Sequence, residues 1–123
     1  MANVVYIHAF TTDGAVRARL MNFFHSITPR NAKGLTKISP VLNKQALDRL
    51  LKGHSQEFQD AAKTREFSGM GIWTEWKSPQ HIDDYYNGSH HLEFSQFAKK
   101  AEGRAVFRVV QLREGKVKQR EIK

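Results

Sequence analysis

The feature that most constrains the fold is the run VVYIHAF at residues 4–10. β-Branched and aromatic residues fill it, which suits a strand. Side chains alternate along a strand, so Val4, Tyr6, His8 and Phe10 share one face and Val5, Ile7 and Ala9 the other. Both faces are largely apolar, so this strand belongs inside a sheet covered on both sides. A chain of 123 residues, 40% of them hydrophobic, is long enough to build that core as one domain.

The rest of the chain supplies partners for such a strand. Thr11, Thr12, Asp13 and Gly14 read as a turn that also caps a helix, and Val16, Leu20, Phe23, Phe24 and Ile27 then recur at helical spacing. A second strand is expected at 35–42, with Pro40 marking an edge or a bulge because it cannot donate to a ladder. Asn43 opens another helical stretch, whose face carries Leu47, Leu50, Leu51, His54 and Phe58. A third strand follows at 67–76. Ser78 and Pro79 then form a capping pair for a helix whose inner face holds Ile82, Tyr85 and Tyr86. Asn87, Gly88 and Ser89 interrupt it before His91, Phe94, Phe97 and Ala98 resume the pattern, and a last strand occupies 105–112. This order predicts an α+β fold, a four-stranded antiparallel sheet with helices on one face. Residues 1–112 form the domain, 43–67 a helical insertion, and 113–123 a basic, solvated tail. Residues 47–63 and 82–100 also echo one another, sharing Gly, His, Glu-Phe and Ala-Lys in the same order.

Net charge is +8, which draws polyanions or anionic small molecules. The two halves contribute +4 each (eight basic against four acidic residues in 1–60, twelve against eight in 61–123), and no single stripe concentrates the charge. No RNA- or DNA-binding signature accompanies it, so nucleic acid is a second class of partner and not the favoured one. No apolar run approaches the ~18 residues of a membrane span, and the first residues lack a signal-peptide pattern, so the expected location is cytoplasmic. With no cysteine, thiolate chemistry and disulfides are excluded. Phosphate-loop, dinucleotide and nucleophile-elbow motifs are absent as well. The histidines lack the paired spacing of a helical metal site, so neither metal nor organic cofactor is expected. Acid–base chemistry then falls to His and Tyr. Tyr85 and His91 flank the helix break, and His8 shares a strand face with Tyr6 and Phe10.

The segment 71–112 carries a resemblance. Trp73, Thr74, Glu75 and Trp76 are followed by Lys77, Ser78 and Pro79, then by Ile82-x-Asp84-Tyr85, five residues, and His91-x-x-Phe94. This pattern resembles the dimeric α+β barrel superfamily, which includes the antibiotic-biosynthesis monooxygenases and the stress-responsive A/B barrels, and within it the plant polyketide cyclases. The resemblance implies a ferredoxin-like subunit that dimerises sheet to sheet and holds a small hydrophobic substrate between sheet and helices. It assigns Tyr85 and His91 as the catalytic pair, with His8 as a further acid–base candidate. Tyr6, Phe10, Phe24, Ile72, Thr74 and Phe94 are then the expected substrate-binding residues. Two departures stand out. The helical insertion replaces a much shorter connection, and the haem-degrading branch's Asn and His positions correspond here to the Ile7–His8 neighbourhood and Ser95. The expected function is cyclase-like closure of an aromatic or polyketide-type, anionic substrate. The alternatives are a cofactor-independent monooxygenase, a ligand-binding stress protein, or a nucleic-acid-binding protein.

Overall fold

The structure, a computed structural model, describes residues 3–62, 70–101 and 103–122. Five strands form one antiparallel sheet: β1 (Asn3–Thr11), β2 (Leu35–Ile38), β3 (Met70–Trp76), β4 (Ala105–Arg113) and β5 (Lys116–Ile122), in the order β2-β3-β1-β4-β5. The doubly apolar run lies at the centre, paired with β3 on one edge and β4 on the other.

Five helices flank the sheet: α1 (Gly14–Ser26), α2 (Lys44–Leu51), α3 (Gln56–Ala62), α4 (Pro79–Tyr86) and α5 (Ser89–Lys100). Their starts follow local chemistry. The Asp13 carboxylate accepts from the amides of Ala15 and Val16, Asn43 caps α2 through Ala46, and Ser78 caps α4 with Pro79 in its first turn.

The helices occupy both faces of the sheet, not one. On the first face, Val5, Ile7, Ile72, Trp76, Phe107 and Val109 pack with Leu20 and Phe24 of α1, Ile82 of α4 and Phe94 of α5. On the second, Val4, Tyr6, Trp73, Val110 and Leu112 pack with Leu47 and Leu51 of α2 and Phe58 and Ala62 of α3. The inserted segment therefore covers the sheet face for which the resemblance implies a second subunit. It forms two helices where one was expected, because Gly53 and the Ser55 cap divide it; the Ser55 hydroxyl accepts from the Phe58 amide. Residues 63–69, including the expected start of the third strand at Phe67, lie outside the described residues.

Two further differences concern strands. Residues 116–122 pair along β4 as a fifth strand instead of forming a solvated tail. The loop between them is the dipeptide Glu114–Gly115, both with positive φ (51° and 84°), the requirement of the tight turn that matches strand twist. The second strand is shorter than expected. It ends at Ile38 after a bulge, and beyond it the Ser39 hydroxyl accepts from the Trp73 amide before Leu42 bridges to Gly71.

Candidate active site

Tyr85 sits in the last turn of α4, buried against Trp76 with ring centroids 5.4 Å apart. The break at Asn87 and Gly88 redirects the chain so that α5 begins at Ser89 and brings both following histidines back to the tyrosine. Their rings are almost equidistant from it, at 5.8 Å for His90 and 5.7 Å for His91. The hydroxyl separates them: Tyr85 Oη lies 2.8 Å from His90 Nδ1. His91 meets Tyr85 edge to face, packs more closely on Tyr86 at 4.3 Å, and has Ser95 Oγ 3.5 Å from its Nδ1. The hydrogen-bonded pair is therefore Tyr85–His90, one residue before the histidine assigned by resemblance.

The pair belongs to a longer chain of hydrogen bonds. His90 Nε2 is 2.9 Å from Ser26 Oγ at the end of α1, and the Ser26 hydroxyl donates to the Phe23 carbonyl. A serine has a single proton to donate. With that proton on Phe23, the Ser26 oxygen accepts from His90 Nε2–H, which leaves Nδ1 unprotonated to accept from Tyr85. The direction is thus Tyr85 to His90 to Ser26 to the Phe23 carbonyl. Phe23 also stacks on the imidazole at 4.9 Å, fixing its plane.

Burial lowers the pKa of His90 from the ordinary imidazole value, against the opposing pull of the Glu93 carboxylate. Burial, aided by Tyr86, raises that of Tyr85 above the ordinary phenol range. At neutral pH both are uncharged, and the imidazole is ready to receive a proton.

Tyr85 and His90 open onto a cleft of about 270 Å³, lined also by Arg30, Asn31, Lys33, Asp84, Gly88 and Ser89. Arg30 and Lys33 come from the turn after α1, which Asn31 holds rigidly. Its side-chain oxygen accepts from the Thr28 amide, and its NH₂ donates to the Ser26 carbonyl. Nothing in the periodicity of the sequence singled out His90, Ser26, Arg30 or Lys33. The only local sign was the doubled histidine just after a helix break.

The remaining expected site residues divide between core and opposite face. Phe24, Ile72 and Phe94 are fully buried in the first-face core. The Thr74 hydroxyl there donates to the Val5 carbonyl and accepts from the Trp76 indole. Tyr6, His8 and Phe10 face the other way, so the sheet itself separates them from Tyr85 and His91; Tyr6 packs with Trp73 in the second-face core. His8 is 6% exposed, and burial, then the nearby Arg108, lowers its pKa to about 4. Among the described residues, no three His, Asp or Glu side chains converge as metal ligands, and no helix is long and apolar enough to cross a membrane.

No family model matches the chain, and no curated protein does. Among solved structures, a conserved protein of unknown function from Bacteroides thetaiotaomicron, described as a possible oxidoreductase, is similar over 98% of this chain and 96% of that one. With a TM-score of 0.51 and 9% identity, that likeness concerns the fold alone.

Proposed function

We propose that this protein is an acid–base enzyme with an α+β fold, closing a ring in a small polycarbonyl substrate by an aldol reaction. One observation carries the reading: the 2.8 Å contact between Tyr85 Oη and His90 Nδ1 at the edge of a cleft. Because Tyr85 donates its proton to His90, its oxygen presents lone pairs outward. A proton from a carbon between two carbonyls passes to that oxygen as the tyrosine proton passes to Nδ1, leaving an enolate and an imidazolium. The enolate carbon attacks a distal carbonyl, forming the C–C bond, and the new alkoxide recovers a proton through Tyr85. Loss of water then gives the unsaturated ring. The cleft's contribution is to hold the two reacting carbons together. The resemblance of 71–112 to polyketide cyclases supports the same chemistry.

The test is cyclisation of a linear 3,5,7-trioxo carboxylate, followed by chromatography and mass spectrometry. The enzyme should accelerate ring formation over buffer, with Tyr85→Phe and His90→Gln each losing roughly 10²–10⁴-fold. Full activity in both variants, or no acceleration by the native protein, would overturn the reading. A loss confined to His91→Ala would return the base to the residue assigned by resemblance.

A second reading uses the same proton transfer. Deprotonating an electron-rich phenol yields a phenolate that can itself reduce dioxygen, a cofactor-free oxygenation. The description of the Bacteroides structure as a possible oxidoreductase points this way. Oxygen uptake coupled to turnover of a hydroquinone separates it from the aldol reaction, which consumes none.

A further inference from the structure

We infer that the cleft beside Tyr85 is selective for substrates bearing a carboxylate, which Arg30 and Lys33 hold at a set distance from the reacting carbon. This rests on the acid–base reading and names the substrate class for that site. Arg30 and Lys33 line the same cleft as Tyr85 and His90, and neither is ion-paired among the described residues. Arg113, by contrast, is engaged, pairing with Asp83 of α4 at 2.8 Å. The carboxylate in the cleft wall, Asp84, accepts from the Gln80 side chain on its own helix. Two cations and one such anion line the cleft.

The surroundings add to this bias. Gly88 caps α5 without a side chain, so no N-cap side chain bonds the amides that open this 12-residue helix at the cleft wall. The turn bearing the cations is tied through Asn31 to Ser26, the residue that accepts from His90 in the hydrogen-bond chain. A carboxylate seated on Arg30 and Lys33 is therefore positioned relative to the Tyr85 oxygen by one rigid turn. Charge-assisted hydrogen bonds to guanidinium and ammonium are strong enough to discriminate an anion from its neutral isostere.

The probes are salicylate and its neutral isostere salicylamide, titrated into the full chain and followed by amide NMR shifts. Salicylate should move the Ser89 and His90 resonances saturably, and more weakly as salt rises. Salicylamide should bind about tenfold more weakly, and the Arg30→Gln/Lys33→Gln variant should lose a similar factor for salicylate. Equal binding of the two probes, an unchanged double variant, or no salicylate binding would each overturn the inference. Because the titration needs no turnover, a relay that fails the cyclisation assay leaves this result standing. Conversely, a Tyr85-dependent enzyme that binds both probes equally would discard the anion seat alone.

Discussion

Two histidines lie equally near Tyr85, and one hydrogen atom distinguishes them. The Ser26 proton is committed to a carbonyl, so the His90 tautomer is fixed and its Nδ1 points a lone pair at the phenol. This makes the neutral imidazole the active form. The acid limb of kcat/KM should therefore fall below the ordinary histidine pKa, with full activity across neutral pH, and the alkaline limb should lie above the ordinary phenol value. A pH–rate profile with its acid limb above pH 7 would refute that assignment. His8 has a different consequence. Its folded pKa of about 4 lies below its value in the unfolded chain, so protons bind the unfolded state preferentially between those two values. Its contribution is complete at neutral pH and erodes as pH falls from about 6.5 to about 4, by on the order of 3 kcal/mol. Urea denaturation of native protein and His8→Gln at pH 7, 5 and 4 should show a shallower acid loss in the variant.

At the scale of elements, the two echoing segments take one form, a helix broken at a glycine and continued by a second helix, and they lie on opposite faces of the sheet. Each places its Glu-Phe phenylalanine, Phe58 or Phe94, in the core. Phe58 contacts Trp73 edge to face at 5.6 Å. Phe58→Ala should cost about 3–5 kcal/mol, measured by denaturant unfolding, while leaving the cleft across the sheet unaltered. Gly34 has a different function. It adopts a φ of 86°, its carbonyl accepts from the Lys77 amide, and any Cβ there would strike the His81 ring. Gly34→Ala should destabilise by at least about 1 kcal/mol and, by displacing the adjoining Lys33, weaken salicylate binding. Much at this scale was legible in the sequence: the Asp13 and Ser78 caps, the edge position that Pro40 implied for β2 and the break at Asn87–Gly88 all act as their chemistry dictates. The Glu114–Gly115 hairpin was not, because dense charge in residues 113–123 reads as a solvated terminus while the turn signal is a single dipeptide.

Across the whole molecule, alternation correctly gave β1 two covered faces. It could not say what covers them, since an apolar face reads alike whether helices of the same chain or a second copy pack on it. Nor could it place His8 relative to Tyr85: strand parity sorts residues onto faces, but the choice of face for α4 and α5 is made by tertiary packing. The result is a sheet whose second face is closed by α2 and α3 over Tyr6 and Trp73 but opens at its far end, where Phe10 and Val106 sit side by side, 39% and 45% exposed. Amide exchange should follow this geometry, slowest in β1, which is paired on both edges, and faster in β2 and β5 at the rims. Equal protection in β1 and β2 would contradict it.

The central position of β1 also sets the order of assembly. Its neighbours are β3 and β4, and the hydroxyl of Thr11 at its end donates to the carbonyl of Arg104, 93 residues later. At about 5–20 residues per second of synthesis, an aggregation-prone strand waits for several seconds, roughly 5–20 s, before its last partner leaves the ribosome. During that interval the two apolar faces and the β4-facing edge of the strand have no partner from the later part of the chain.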